Sequence, residues 1–403
     1  MASVKKTKAN AATDNGDSVN DTDFVQDLIK DLNKEFQQKI AYNLSSDMSP
    51  THIKRWVSTG SKLLDLAIKN ASGGGLPEGR IVEIYGAPSI GKSHIACQIA
   101  RSTQHMGGIV VYIDTENATS PENLRLLGVD VSKRFIYCDP QCIEDVFTII
   151  ESTIEKAKSV KKDIPITIIW DSLAATPAKA ELLGDYDQQT IGLAARTLSK
   201  GFRKVTSVIA NNNVLLVVLN QIRTKIGVMY GDPMTTPGGL SLPFHASVRI
   251  SLTGGTKIDN GNEEMIGINV IARTTKNKVA RPFRKVQFQI HFGVGIIEHE
   301  EIFDVVREYC SWREDKELGM LEKNGKLLKI EGTSAWKTLT VVNSASGEIE
   351  IEKKFTKSKF DEIIADPAYA TYVDDLLEAA MTHTIIEDDD AKLEAEKTEG
   401  DNG

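Results

Sequence analysis

At 403 residues, 41% hydrophobic and 26% charged, the chain has the composition of a globular protein with one large domain and one or two small ones. Nothing near its start pairs a basic region with an apolar run, no window approaches the roughly 20 apolar residues of a membrane span, and its four cysteines form no C-x-x-C pair, so an unsecreted cytoplasmic protein without membrane, zinc or disulfides is expected. The formal net charge of −8 weighs against a nucleic-acid partner only until its distribution is read, because residues 387–403, "EDDDAKLEAEKTEGDNG", hold eight acids against two lysines and leave the body nearly neutral.

Residues 1–21 are small and polar and cannot bury enough apolar surface to offset the entropy of ordering them, so a disordered tail is expected. Residues 22–57 begin with Phe24, Leu28, Leu32, Phe36 and Ile40 at helical spacing on one face. Such a helix cannot hold itself together alone and must dock on its own core or on a neighbouring subunit, which the loose "SSDMSP" after it would allow. From 58 to 297, β-branched runs alternate with helical stretches: "RIVEIYG", "GIVVYID", "PITIIWD" and "NVLLVVLN" are continuously apolar, as strands covered on both faces are. An α/β core with a mostly parallel twisted sheet is expected there, followed by a small α+β domain at 298–386 and an acidic, disordered tail at 387–403.

The chemistry begins at Gly86, Ala87, Pro88, Ser89, Ile90, Gly91, Lys92 and Ser93, which fit G-x-x-x-x-G-K-[ST] between a strand and a helix. Glycines let the backbone curl so that N–H groups and a helix N-terminus face phosphates. Lys92 then meets the β- and γ-phosphates of ATP, and Ser93 ligates Mg²⁺. "ITIIWDS" delivers Asp171 at a strand end, where a carboxylate can hold the water shell of the metal. "GIVVYIDTE" brings Asp114 and Glu116 beside the loop, since ligands collect at the carboxyl ends of such strands. Glu116 is the candidate that aligns an attacking water, with a solvated loop acid as the alternative, and Gln221 closes a fourth strand where an amide can sense the γ-phosphate.

The ordered blocks "STGSKLLDLAI", "GGGLPEGRIVEIYGAPSIGKS", "YIDTEN", "WDSLAATPAKAEL", "GLAARTLSKGFRKV", "NQIRTKIGVMYGDPMTTPGG" and "TTKNKVARPF" closely resemble the bacterial RecA recombinase family from about Ser58 to Gly295. The resemblance implies a RecA-type core and an ATP-dependent recombinase that forms a helical filament on single-stranded DNA and pairs it with homologous duplex. Lys92, Ser93, Glu116, Asp171 and Gln221 fall on the phosphate, magnesium, catalytic and sensing positions of the family. Lys276 and Lys278 match lysines that reach the ATP of the adjacent subunit, where cations supplied in trans stabilise charge on the transferring phosphoryl group. Arg223, Lys225, Ile226, Gly238 and Gly239, a second loop near Gly184 to Ile191, and Arg196, Ser199 and Arg203 match the DNA channel, whose phosphate contacts ignore base sequence. Single-strand-binding and loader proteins are implied as further partners, and the acidic tail either competes for basic surface or serves solubility.

The chain also departs from the family pattern. Ser120 and Asn123 stand where an acid and a tyrosine usually meet adenine, Pro243 replaces a lysine beside Phe244, and Leu240 replaces a polar loop residue. Two other readings use the same phosphate loop, a hexameric helicase-like motor and an ATP-binding DNA coat without strand exchange. The continuous "NQIRTKIGVMYG…TTPGG" block disfavours the first, and intact Glu116, Lys276 and Lys278 disfavour the second.

Overall fold

A computed structural model describes residues 21–44, 49, 51–160, 163–185, 192–224, 234–262, 264–315, 319–332 and 335–382. The N-terminal residues 1–20, the loop residues Lys225 and Ile226, positions 186–191 and the acidic segment 387–403 lie outside that set. The chain divides into two compact units, through His52 and from Ile53 onward.

The first unit carries helix α1, Asp21–Glu35. Apolar spacing alone extends this helix to Ile40, but it stops earlier for a local reason. Gln37 takes a left-handed φ of 51°, and the Asn33 carboxamide oxygen accepts from the backbone N–H groups of Ile40 (2.7 Å) and Ala41 (2.8 Å), giving the chain an alternative to further helical bonds. Phe24, Leu28, Phe36 and Ile40 are exposed.

In the second unit the main sheet is built from β1 (Ile81–Gly86), β2 (Ile109–Asp114), β3 (Phe135–Cys138), β4 (Ile166–Asp171), β5 (Val214–Gln221), β6 (Val248–Asp259), β7 (Met265–Asn277), β8 (Lys285–His291) and β9 (Gly295–Ile297). Their order is β9-β8-β7-β6-β1-β5-β4-β2-β3. Neighbours from β6 through β3 run parallel, and β7, β8 and β9 continue the sheet antiparallel. Side chains of a strand alternate between faces. Val82, Ile84, Ile169, Leu215 and Val217 therefore join one core, and Ile81, Ile168, Trp170, Leu216 and Val218 join the other. Helices α2 (Lys62–Lys69) and α3 (Lys92–His105) bury their apolar residues in the first core; α4 (Ile143–Val160) and α5 (Leu193–Asn211) bury theirs in the second. With both faces covered, polar groups can reach solvent only at strand ends, which is where the site must lie.

Beyond the sheet come α6 (His299–Asp315), a four-stranded antiparallel sheet of β10 (Leu321–Lys323), β11 (Lys326–Glu331), β12 (Trp336–Asn343) and β13 (Ile349–Thr356), then α7 (Phe360–Ala365) and α8 (367–382). The hydrophobic cluster that contains Val270 and Ile290 of the main sheet continues without a break through Phe303, Val306, Leu339 and Phe355. Glu298 sits at that junction. Its carboxylate accepts from the Ser61 hydroxyl (2.5 Å) and from the backbone N–H groups of Lys62 and Leu63, so it caps the start of α2 from 235 residues away.

Burial pushes Glu298 up to about 7 against these hydrogen bonds, and burial pushes neighbouring Asp65 up to about 6. A carboxyl whose folded pKa is raised binds more protons folded than unfolded. Its contribution to stability is therefore complete below the ordinary value near 4.5 for Glu298 and is lost as pH rises through about 7. The thermal midpoint should fall over that window, and Glu298→Gln should show a shallower fall by calorimetry at pH 4.5, 6 and 7.5. Identical slopes in both proteins would refute the assignment.

Candidate nucleotide site and nucleic-acid interface

The phosphate loop joins β1 to α3, and its geometry accounts for its residues. Gly91 has φ +94°, a left-handed conformation that favours glycine, and Ile290 Cδ1 of β8 would lie 2.4 Å from a Cβ there, so β8 packs directly behind the loop. The Lys92 ammonium donates to the carbonyls of Gly86 (3.1 Å) and Ala87 (2.7 Å), which places its charge inside the loop. Burial lowers its pKa, and Asp171 and Glu116 oppose that shift.

Sheet register sets the acids around it. Gly86 pairs with Gln221 across β1 and β5, and Asp114 pairs with Asp171 across β2 and β4. Asp171 Oδ2 accepts from the Ser93 hydroxyl (2.9 Å) and the Tyr112 hydroxyl (2.8 Å). Burial raises the Asp171 pKa; the bonds from Tyr112 and Ser93 pull it down, and Glu116 and Asp114 push it up. Glu116 Oε1 accepts from the Ser172 hydroxyl (2.5 Å) and the Gln221 carboxamide (3.2 Å), so the catalytic and sensing candidates touch although 105 residues separate them. Asp114 instead accepts from the backbone of Glu116 (3.0 Å) and Thr119 (2.9 Å) and from the Tyr137 hydroxyl (3.2 Å), which makes it the organiser of the loop that carries Glu116.

No three His, Cys, Asp or Glu side chains among the described residues form a metal cage. One hydroxyl and one carboxylate in contact suit Mg²⁺ instead, which keeps several waters and takes its remaining oxygens from the phosphates. Ser120 is occupied locally. Its hydroxyl accepts from the Asn123 N–H (3.3 Å) as the cap of helix Pro121–Leu126 and donates to Glu122 (2.8 Å). The Phe292 ring is exposed and lies 6.1 Å from the His94 ring at the start of α3. Tyr112 and Ser172 escape a reading by motif, because each acts through contacts that spacing does not encode.

Lys276 lies near the end of β7 and Lys278 just beyond it. The Lys276 ammonium donates to the carbonyls of Pro243 (2.6 Å) and Phe244 (2.9 Å), beside the exposed rings and side chains of Phe244 (73%) and Leu240 (85%). Desolvation brings its pKa down to about 8, with Lys278 and Arg249 adding to the shift. On the DNA side, Arg196, Ser199 and Arg203 share α5, and Arg203 Nε is held on the Ser199 carbonyl (3.1 Å). Arg223 pairs with Thr235 in a short antiparallel ladder at the base of the loop that contains Lys225 and Ile226. Gly238 (φ +91°) approaches Leu198 and Leu173 where a Cβ would lie 2.8 and 2.9 Å away, and with Arg223 these residues line a cavity of about 310 Å³.

This fold and this loop define an α/β nucleotide-binding protein of the phosphate-loop class. A profile of the RecA N-terminal domain matches residues 23–297. The chain is 37% identical to Protein RecA of Ruminococcus albus over 318 residues, covering 76% of this chain and 77% of that one. It is 39% identical to Protein RecA of Wolinella succinogenes over 307 residues (74% and 84%) and 40% identical to that of Helicobacter hepaticus over 287 residues (69% and 80%). The chain belongs to the RecA family and is a RecA-type recombinase, a DNA-binding and nucleotide-binding protein that oligomerises. No described helix is long and apolar enough to cross a membrane.

Removing the Tyr112 hydroxyl tests the role given to Asp171. Tyr112→Phe deletes a bond that lowers the Asp171 pKa, so the acid limb of a pH–rate profile for nucleotide hydrolysis should move to higher pH while the alkaline limb stays in place. An unmoved acid limb would show that this bond does not hold the carboxylate.

Proposed function

We propose that the chain is a DNA-dependent ATPase that assembles as a helical filament on single-stranded DNA, pairs it with homologous duplex and exchanges strands. One observation carries this reading: the ammonium of Lys276 is bound to the carbonyls of Pro243 and Phe244, beside the exposed Phe244 and Leu240. A neighbour docking there would bring Lys276 and Lys278 to the polyphosphate of the next subunit. Helix α1, with its exposed apolar face, is the proposed oligomerisation element within 22–57; 58–297 is the ATPase and DNA-binding core, and 298–386 the C-terminal domain.

In the proposed cycle Lys92 and the loop N–H groups bind the β- and γ-phosphates, and Ser93 and Asp171 hold Mg²⁺, which supplies charge neutralisation when bound. Glu116 orients the attacking water while Gln221, already bonded to Glu116, carries the state of the γ-phosphate to the loop that follows it. Arg196, Ser199, Arg203, Arg223, Lys225, Gly238 and Gly239 contact the DNA backbone, Ile226 wedges between bases, and adenine rests beside Ser120, Asn123 and the Phe292 ring. Phosphate contacts leave reading to base pairing, as a recombinase requires. Single-strand-binding and loader proteins, a cytoplasmic setting in a bacterial cell or an infected host, and control of duplex access by residues 387–403 complete the proposal.

Single-stranded DNA should raise steady-state ATP turnover at least tenfold, and Glu116→Gln should lower the stimulated rate about a hundredfold with ATP affinity kept; a rate indifferent to DNA would count against a recombinase. Lys276→Ala should also abolish stimulation. Mixing it with Glu116→Gln, which still donates Lys276, should restore hydrolysis above the sum of the separate proteins. Co-assembly without recovery would rule out lysines acting in trans.

A further inference from the structure

A polar row crosses the sheet between the sensing glutamine and the lysine. Glu83 stands in the middle of β1 inside the otherwise apolar run "RIVEIYG" and is 0% exposed. Register places it opposite Arg249 of β6, and Arg249 is opposite Lys276 of β7. The two carboxylate oxygens are divided between two directions. Oε2 accepts from Arg249 Nε (2.5 Å), and Oε1 accepts from the carboxamide of Asn220 (3.0 Å), itself 0% exposed.

Each direction ends at functional chemistry. Asn220 accepts the backbone N–H of Gln221 (3.0 Å) with its Oδ1 and reaches the Pro237 carbonyl (3.3 Å) beside Gly238 with its Nδ2. On the other side the Arg249 guanidinium lies 4.8 Å from the centre of the Tyr85 ring, whose hydroxyl donates to Thr275 Oγ1 (3.0 Å), the residue before Lys276. The Thr275 hydroxyl returns to the Arg249 carbonyl (3.3 Å).

A buried ion pair is no better for stability than a well-packed apolar pair, so stability alone does not account for a glutamate at the centre of a parallel sheet. A carboxylate with one oxygen committed to each side does something an apolar residue cannot. Movement of Asn220 toward the nucleotide draws on the same group that holds Arg249, and in a low-dielectric interior such bonds polarise one another.

We infer that Glu83 is a positioning residue that, through Arg249, Tyr85 and Thr275, sets the end of β7 for donation of Lys276 to a neighbour and, through Asn220, makes that setting depend on Gln221. The inference rests on the in-trans reading proposed above.

Two mixtures test it, with folding followed by circular dichroism and ATP affinity by equilibrium titration. Alone, Glu83→Gln should keep its ATP affinity and lose about tenfold of DNA-stimulated hydrolysis. Tyr85→Phe, which removes only the hydroxyl contact to Thr275, should lose part of the same activity and serves if Glu83→Gln does not fold. Mixed with Glu116→Gln, which binds nucleotide and keeps Glu83 and Lys276, either variant should recover hydrolysis, because its own pocket now receives a correctly set lysine. If the Lys276→Ala mixture recovers and the Glu83→Gln and Tyr85→Phe mixtures do not, these residues act inside their own pocket and the inference is overturned. If the Lys276→Ala mixture also fails, the in-trans reading falls and takes the inference with it.

Discussion

Two carboxylates, Asp171 and Glu116, act on one ammonium, Lys92, at the carboxyl edge of the parallel sheet, and Asp114 stands behind Asp171. Asp114, Glu116 and Asp171 all lie within electrostatic reach of one another or of Lys92, in a region where like charges repel far more strongly than in water. The protein manages this with donors that carry no charge. Asp171 takes the hydroxyls of Tyr112 and Ser93, Glu116 takes Ser172 and Gln221, and Asp114 takes two backbone N–H groups and Tyr137. Every acid is therefore oriented, and the set as a whole stays short of positive charge. A phosphate-bound divalent cation, as proposed, would meet that deficit.

The sheet was readable from the chain because its central strands are covered on both faces and so appear as unbroken apolar runs. The loop from Gly86 to Ser93 was readable because phosphate binding demands glycines and a lysine at fixed offsets. Other features depend on register. Tyr112 looks like one more residue of the strand "IVVYID", and only the pairing of Asp114 with Asp171 reveals that its hydroxyl supports the Asp171 carboxylate. Glu83 reads as a flaw in an apolar strand until Arg249 and Asn220 are placed beside it. At α1 the periodicity over-extends the helix, since a tally of apolar positions does not register that Asn33 captures the backbone at Ile40 and Ala41.

The row from Asn220 to Lys276 also bears on how β6 is set against its parallel neighbour β1. Arg249 of β6 stands opposite Glu83 of β1. A shift of one residue would move Arg249 to the other face and leave the Glu83 charge buried without its partner, a loss of several kcal/mol by the usual cost of an unpaired interior ion. The ion pair thus selects one register out of those the apolar pattern would tolerate.

Lys276 is where this selection meets chemistry. Its ammonium is bonded to two neutral carbonyls; desolvation by burial pushes its pKa down, Lys278 and Arg249 add to that shift, and Glu83 opposes it. Arg249 is matched by Glu83, which leaves Lys276 and Lys278 as the cations an approaching anion would meet. The exposed Phe244 and Leu240 beside it supply apolar area that a partner must cover to bring such an anion near. If Lys276 acts in trans as proposed, an anion supplied by the next subunit would offset the desolvation of Lys276 and its repulsion with Lys278, so nucleotide and subunit contact would stabilise each other.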